Sequence, residues 1–527
     1  TNSYSVPART VSFFGRLSYT FMDRYLFTGT FRADGSSKFA PDNRWGYFPA
    51  GAFAWRLSEE PFMNGTKDWL SNLKLRLSYG TSGSDNISSN LWRETWSSLG
   101  SGSNHTPING ELGSFYRPDG LLANSKLKWE TTISRNFGID FGFLNNRVNG
   151  SLEVYWNTTK ALLMAVPVDN TTGYSYQFQN FGKTSNRGIE LSVNVDVINK
   201  GDFRFNVGAI YNYNRNKLDE LPNADQYLYS SYWGSSSLVP TNDYMFVEGK
   251  AIGLVRGFIS EGYYTVDDFN YTNGQYVLKE PDITKALTAT YMHPYDLPAG
   301  QTAFPGAAKF RDVDESGTVD LDDATCLGEV MPRHTGSFQL NFNYKNFDLS
   351  TNFNWTAGGK VYNVAAMINA SGQEFDGIGA QRASWVADAF KVYNVNAAGD
   401  LYAVTNPDEL RALNANAKYH LPYHQSGITS SEWLENGSYL RLQTLTLGYT
   451  LPKNWLTKVH VDKIRLYLTA TNLFTITGYS GIDPEVNANP TGQSGFYSDL
   501  RIFPTLNMDF GTYPRARTFT FGANITF

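Results

Sequence analysis

The stretch that decides the fold class is residues 518–527, T-F-T-F-G-A-N-I-T-F, at the end of the chain. Side chains alternate between the two faces of a β-strand. One face would therefore carry only apolar residues, and the other only Thr, Gly and Asn. A half-buried strand of a soluble sandwich shows the same alternation, and so does a strand of a transmembrane barrel, with one face to lipid and one to the lumen. The rest of the chain has to distinguish the two.

The composition favours the membrane barrel. Aromatic residues make up 15% and charged residues 18% of the 527 residues, whereas charged residues make up roughly 25% of average soluble proteins. No uninterrupted apolar run approaches the ~18 residues that a membrane-spanning helix needs. Hydrophobicity is instead spread over alternate positions, which is typical of transmembrane β-strands. The net charge of −5 argues against a nucleic-acid partner, because such proteins usually have a basic surface.

Similar alternating stretches recur along the whole chain and predict about thirteen strands, each near the ~10 residues that a tilted membrane strand needs. Leu440 and Leu442 are out of phase with the apolar positions that follow, which predicts a β-bulge near Gln443. Arg135 shares the apolar face of its strand. Because a charge at mid-bilayer costs roughly 2–4 kcal/mol, we expect Arg135 above the membrane or at a bulge.

Short turns and long polar loops alternate strictly between these predicted strands. The large loops lie near 80–128, 217–334, 358–437 and 478–513. In bacterial barrels the short turns face the periplasm and the long loops face outward, so the last strand is expected to end at the periplasm. An odd strand count does not suit a complete bacterial barrel. We therefore expect residues 1–10 to connect to earlier strands and residues 11–527 to form the C-terminal part of the barrel; soluble sandwich modules would not predict the alternation of loops.

The acidic segment 312–323, D-V-D-E-S-G-T-V-D-L-D-D, follows the spacing of a calcium loop. Calcium prefers several hard oxygen ligands, and the glycine at position six permits the sharp turn that gathers them. The last position holds Asp where the helix–loop–helix version has Glu. The segment predicts a structural calcium site in a long loop, with an acidic turn that binds no ion as the alternative. The candidate ligands are Asp312, Asp314, Ser316, Thr318, Asp320 and Asp323.

Aromatic residues concentrate in two of the long loops. Such residues stack on sugar rings or contact peptides, and they equally pack the core of a loop or a partner interface; both interpretations stay open. The candidates for substrate or partner binding are Trp92, Trp96, Tyr116, Tyr229, Tyr232 and Trp233.

Sequence motifs for catalysis do not occur. The chain has no G-x-S-x-G, no H-E-x-x-H and no phosphate loop, and its six histidines are scattered. We therefore expect no enzymatic activity.

Eight motifs together resemble the SusC-like TonB-dependent transporters of Bacteroidota outer membranes. They are long, spaced as in that family, and cover almost the whole chain; the acidic segment 312–323 also resembles a feature of the family. The motifs are 23–26 (DRYL), 31–39 (FRADGSSKF), 43–49 (NRWGYFP), 55–60 (WRLSEE), 447–452 (LGYTLP), 472–474 (NLF), 483–485 (DPE) and 513–519 (YPRARTF).

The resemblance implies an all-β transmembrane barrel of about 22 strands, of which this chain resembles the thirteen C-terminal ones. It further implies an N-terminal plug, a TonB box that couples to the TonB complex, and a SusD-like surface lipoprotein as a lid. The plug and the earlier strands are expected in the same or a separate chain. The expected function is import of an oligomeric nutrient across outer-membrane lipid. A glycan is the first candidate for this nutrient and a peptide is the second. The alternative is a structural or adhesive surface protein that uses the barrel as an anchor.

Overall fold

A computed structural model describes most of the chain. The described residues are 8–98, 116–118, 121–174, 176–221, 226–229, 238–240, 242–284, 287, 290–291, 293–371, 383–424, 427–456, 461–486, 506–509 and 511–527.

Thirteen strands form one large antiparallel sheet, in which each strand pairs with its neighbours along the chain. This confirms the predicted fold class and strand number. Numbered in chain order, the strands are β1 Thr10–Phe21, β2 Tyr25–Ser36, β3 Trp45–Arg56, β4 Leu70–Ser84, β5 Glu130–Phe143, β6 Val148–Lys160, β7 Lys183–Lys200, β8 Phe203–Glu220, β9 His334–Tyr344, β10 Phe347–Ala357, β11 Tyr439–Thr450, β12 Lys463–Thr477 and β13 Thr518–Thr526.

The two faces of this sheet differ in chemistry. On one face, Leu77 of β4 lies opposite Phe137 of β5, and apolar residues continue in register onto the neighbouring strands. On the other face, Arg76 of β4 pairs with Asp140 at 2.8 Å and with Glu153 at 2.6 Å. The apolar face suits lipid and the ion-paired face suits a barrel lumen.

The lengths of the connections differ between the two ends of the sheet. At one end, here called the short-turn end, they are residues 22–24, 57–69, 144–147, 201–202, 345–346 and 451–462. At the other, the long-loop end, they are 37–44, 85–129, 161–182, 221–333, 358–438 and 478–517. The predicted strict alternation of short and long is wrong in detail, because 37–44 is shorter than 57–69. The turn 57–69 is lengthened by two 3-10 helices.

Two local predictions concern the register. The pairing of β11 with β12 shifts between Leu442 and Thr444, which confirms the bulge near Gln443. Arg135 lies in unbroken register between Tyr79 and Trp156, so the bulge expected there is wrong. Arg135 occupies the row directly beyond the apolar band, towards the long-loop end, and its position above the membrane stays a prediction.

The long loops fold into a body of their own, here called the loop body. One buried cluster contains Leu218 of β8 and Tyr244 of the connection 221–333. The same cluster contains Tyr362 of the connection 358–438 and Met508 of the connection 478–517. A second cluster packs residues of 221–333 against residues of 358–438, including Phe304 and Leu410. The loop body therefore has its own core above the end of the sheet.

Short strands and helices build this body and the turns. The helices are α1 Val364–Ser371, α2 Ala383–Asp388, α3 Pro407–Leu413 and, at the short-turn end, α4 Lys453–Leu456. The short strands are Trp96–Ser98, Tyr116–Pro118, Leu121–Leu122, Leu163–Pro167, Tyr176–Asn180, Gln226–Tyr229, Leu238–Val239, Tyr244–Val247, Leu254–Gly257, Ser260–Tyr263, Phe269–Thr272, Gln275–Leu278, Thr290–Tyr291, Ala308–Phe310, Thr325–Glu329, Lys360–Asn363, Tyr393–Val395, Leu401–Ala403, Tyr423–His424, Gly427–Ile428, Leu434–Asn436 and Met508–Asp509.

Candidate functional site

The acidic segment 312–323 folds so that three of its carboxylates meet. Ligand atoms of Asp312, Asp314 and Asp323 all lie within 4.8 Å of one another. Asp323 is completely buried, and its Oδ1 accepts a hydrogen bond from the N–H of Val313 at 2.6 Å. Its Oδ2 accepts one from the N–H of Asp320 at 2.8 Å. Asp323 therefore ties the end of the turn to its beginning.

The middle of this turn is held by backbone N–H groups that point at the other two carboxylates. Gly317 has a φ of 83°, a conformation that favours glycine, and its N–H donates to Asp312 Oδ2 at 2.7 Å. The N–H of Ser316 donates to Asp314 Oδ1 at 3.0 Å. These backbone hydrogen bonds, chiefly the one from Ser316, lower the pKa of Asp314. Backbone N–H groups thus orient the carboxylates of Asp312 and Asp314 in the turn.

The remaining predicted ligands have other partners in the structure. The Ser316 hydroxyl donates to the Thr318 carbonyl at 3.0 Å. Asp320 caps a one-turn helix by accepting from the N–H of Asp322 at 2.9 Å. Of the six predicted ligands, the structure therefore brings together three carboxylates. Ser316 and Asp320 serve the hydrogen bonding of the turn itself, and Thr318, predicted to contribute its backbone carbonyl, accepts the hydrogen bond from Ser316 there.

The aromatic candidates divide into three groups. Tyr229 is 5% exposed and stacks on Phe246 with ring centroids 4.8 Å apart, so it packs the core of the loop body and is not available to a substrate. Trp92 is half-buried, with Arg93 over its ring at 6.0 Å. Trp96 and Tyr116 lie on two short paired strands, and their side chains are outside the described part of the structure. Tyr232 and Trp233 lie outside the described residues altogether.

A buried ionic cluster at the long-loop end was not predicted from the sequence. Arg441 of β11 is 2% exposed, and its guanidinium contacts Asp483 at 2.5 Å and Glu485 at 2.7 Å. Its Nε also donates to the Thr475 hydroxyl at 3.0 Å. Arg515 adds a second cation, 2.9 Å from Glu485. The motif 483–485 is therefore the anchor that fastens the last long loop to the sheet.

Two further motifs, 23–26 and 55–60, form a hydrogen-bonded cluster at the short-turn end of the sheet. The carboxylate of Glu60 accepts hydrogen bonds from Tyr25 at 2.6 Å, from the Trp55 indole at 2.9 Å and from Arg24 at 3.3 Å. These hydrogen bonds, first among them that from Tyr25, lower the pKa of Glu60. The motifs 23–26 and 55–60 thus form one cluster that fixes the turns after β1 and β3.

Comparison with known proteins gives the family. The model of the TonB dependent receptor-like β-barrel family matches residues 1–473. TonB-dependent receptor P3 of Formosa agariphila is 30% identical over 527 residues, which is 100% of this chain and 46% of that protein. TonB-dependent receptor SusC of Bacteroides thetaiotaomicron is 29% identical over 535 residues, which is 100% of this chain and 44% of that protein.

Solved structures agree on the fold. A chain of the RagAB peptide transporter superposes with a TM-score of 0.70 at 21% sequence identity, covering 99% of this chain and 48% of that one. The chain therefore spans about half the length of the relatives that it matches.

No helix in the described part of the chain is long and apolar enough to cross a membrane. Receptors of this family transport and do not catalyse, so the family itself confirms the expectation that the chain is not an enzyme. Fold, family match and relatives lead to one conclusion: the chain belongs to the TonB-dependent receptor β-barrel family of outer-membrane proteins.

Proposed function

We propose that this chain is part of an active, SusC-like importer that binds an oligomeric nutrient at its long-loop end and passes it through the barrel. The observation that carries the proposal is the loop body. Its two largest buried clusters join connections from distant parts of the chain, which gives the described parts of these loops a shared core. Scaffolds with a shared core position binding residues well, whereas loops of a passive channel need no shared core.

The proposed partners follow from the same architecture. A SusD-like surface lipoprotein would cover the loop body as a lid, and the TonB complex would supply energy through a plug that lies outside residues 1–527. The plug would contact the polar face of the sheet, where Arg76, Asp140 and Glu153 form charged hydrogen bonds. The similarity to a relative named SusC supports this assignment.

The substrate class is proposed as an oligosaccharide, with an oligopeptide as the second candidate. Half-buried Trp92, with Arg93 over its ring at 6.0 Å, offers an aromatic and cationic contact that suits both classes. The solved structures titled as a peptide transporter are similar in fold, and their identity is too low to carry the substrate over.

Uptake by whole cells tests the proposal. A strain that lacks this protein would be supplied with fluorescent oligosaccharides or oligopeptides, with and without a protonophore, and then complemented. We expect uptake of one class only, restored by complementation and abolished by the protonophore. Growth and cell-surface adhesion that depend on the protein, without any energy-dependent uptake, would contradict import and favour the adhesive alternative.

For the acidic segment we propose that Asp312, Asp314 and Asp323 bind a structural calcium ion that braces the loop body. The three converging carboxylates support this, since calcium prefers hard oxygen ligands. Asp322 is exposed in the same turn and outside the cluster, so Asp322→Asn is the matched control for Asp312→Asn. Calorimetric titration with calcium should show binding that Asp312→Asn weakens by about tenfold or more, the loss of one charged ligand, and that Asp322→Asn leaves unchanged. No heat of binding by the unaltered protein would refute the site.

A further inference from the structure

The apolar face of the sheet carries a row of three arginines and two aromatic residues, here called the basic row, just beyond the apolar band and towards the long-loop end. The row runs straight across five neighbouring strands, because each member lies opposite the next in the strand register. Residues directly opposite in a sheet point to the same face. The members of the row are Tyr79, Arg135, Trp156, Arg187 and Arg215.

The position of the row is fixed by the rows next to it. One pleat nearer the short-turn end, the same five strands present only apolar or aromatic residues. These are Leu77, Phe137, Val154, Ile189 and Tyr213. Two pleats further out, Lys160 of β6 lies opposite Lys183 of β7. The basic row is therefore where the apolar face meets the polar headgroup region, flanked by the aromatic residues that barrels place at this border.

Two of the arginines create an electrostatic cost that the described protein does not offset. Arg187 and Arg215 are exposed and directly opposite each other on β7 and β8. Like charges in this relation destabilise a sheet. Lys183 is paired with Glu220 at 3.1 Å, but within the described residues neither Arg187 nor Arg215 forms an ion pair. An anion seated between them would turn the repulsion into attraction.

The third arginine is held in place by its neighbours. The guanidinium of Arg135 lies over the ring of Tyr79, 5.8 Å from its centroid, and donates to the Thr158 hydroxyl at 3.4 Å. Among the described contacts this is the one hydrogen bond of the Arg135 side chain, so other N–H donors of its guanidinium have no protein partner there. Guanidinium groups present forks of N–H donors that match phosphate oxygens, and they do so better than lysine.

We propose that the Arg135–Arg187–Arg215 row binds the phosphate of a phosphorylated glycolipid in the outer leaflet of the membrane. The acyl chains of the same lipid would lie on the apolar rows beneath. Charge complementarity selects the phosphate, and the border position selects a lipid over a free anion, since only a lipid also covers the apolar rows. The site does not depend on the import proposed above, because it lies on the lipid face and not in the lumen.

Lipid binding by the intact protein, purified in detergent, tests the site. The protein would be reconstituted into nanodiscs of phosphatidylethanolamine with phosphorylated lipid A or with dephosphorylated lipid A, and the co-purifying glycolipid would be counted by native mass spectrometry. We expect enrichment of the phosphorylated form. The double variant Arg187→Gln/Arg215→Gln should reduce this enrichment by about tenfold or more, because charged hydrogen bonds are lost.

The matched control is Arg204→Gln, on the same strand β8. Arg204 is exposed like Arg215 but lies on the opposite face at the short-turn end, so its variant should retain the lipid. Resistance of each folded variant to SDS verifies that the barrel is intact. Equal enrichment of the two lipid A forms, equal loss in the control variant, or displacement by millimolar inorganic phosphate alone would overturn the proposal.

Discussion

Replacing Arg441 by methionine is expected to release the last long loop from the sheet. Arg441 is buried, and its guanidinium is the cation that Asp483 contacts at 2.5 Å. The side chain of Asp483 is only 10% exposed. Methionine fills a similar length without a charge, so the variant leaves the Asp483 carboxyl group buried and without its cationic partner.

The magnitude follows from the cost of breaking a buried ion pair on one side, about 3–5 kcal/mol. Arg515 stays 2.9 Å from Glu485 and offsets part of this for Glu485, but Asp483 has no such second cation among the described contacts. Since about 1.4 kcal/mol corresponds to a factor of ten, the open state of the loop should become more populated by about two to three orders of magnitude.

Hydrogen exchange measures this opening directly. The N–H of Ser480, which donates to Glu435 at 2.7 Å, should exchange about a hundredfold faster in Arg441→Met, because local opening governs its protection. Arg517→Met is the control, since Arg517 is exposed in the same loop. The double variant Arg441→Met/Asp483→Asn should recover part of the protection. Unchanged exchange in Arg441→Met would refute the view that this cluster anchors the loop.

Three further outcomes follow from buried or paired side chains. Tyr229→Ala should destabilise the loop body by about 3 kcal/mol or more, which would be seen as faster proteolysis within residues 221–333. Tyr271→Ala removes an exposed ring and should leave the rate of proteolysis unchanged. Equal rates of proteolysis in the two variants would contradict the packing of Tyr229 in the core. Arg76→Gln leaves two carboxylates without their shared cation and should cost about 1–3 kcal/mol, seen as a lower temperature for loss of the SDS-resistant band; an unchanged temperature would contradict the pairing. Burial raises the pKa of Glu432 against the opposing influence of a nearby histidine, so the folded state holds this proton more tightly. The contribution of Glu432 to the free energy of unfolding is therefore complete below its ordinary pKa and falls as the pH rises towards the raised value. Glu432→Gln should make the free energy of unfolding less dependent on pH in this range, and an unchanged pH dependence would contradict the raised pKa.

The sheet was predictable because its signal is local. Alternation along residues 518–527 and similar stretches reflects only the two faces of a strand, so it identifies a strand without knowledge of its partner. The bulge near Gln443 was equally visible as a change of phase. Strand ends were less certain, since β4 continues to Ser84 through residues with no apolar alternation.

The loop body was not predictable in the same way, because its contacts join residues far apart in the chain. The Tyr244 hydroxyl donates to the carbonyl of Leu506, 262 positions away, and no local pattern marks either residue. Tyr229 belongs to the same cluster. Its residue type and its place in a long loop suggested a binding residue, whereas its burial in the folded protein makes it a core residue. In the acidic segment the spacing identified the carboxylates that meet. It could not show that Asp320 is taken up by a helix cap, since that depends on the folded turn.

Sidedness of the sheet is the claim on which import, the lid and the lipid site all rest. It can be tested in intact cells with a membrane-impermeant maleimide, in a Cys326→Ser background. Leu401 is 69% exposed in the connection 358–438, and Asp202 is exposed in a turn at the short-turn end. We predict that Leu401→Cys is labelled in intact cells and that Asp202→Cys is labelled only after the outer membrane is permeabilised. Labelling of Asp202→Cys in intact cells, with Leu401→Cys protected, would contradict the account.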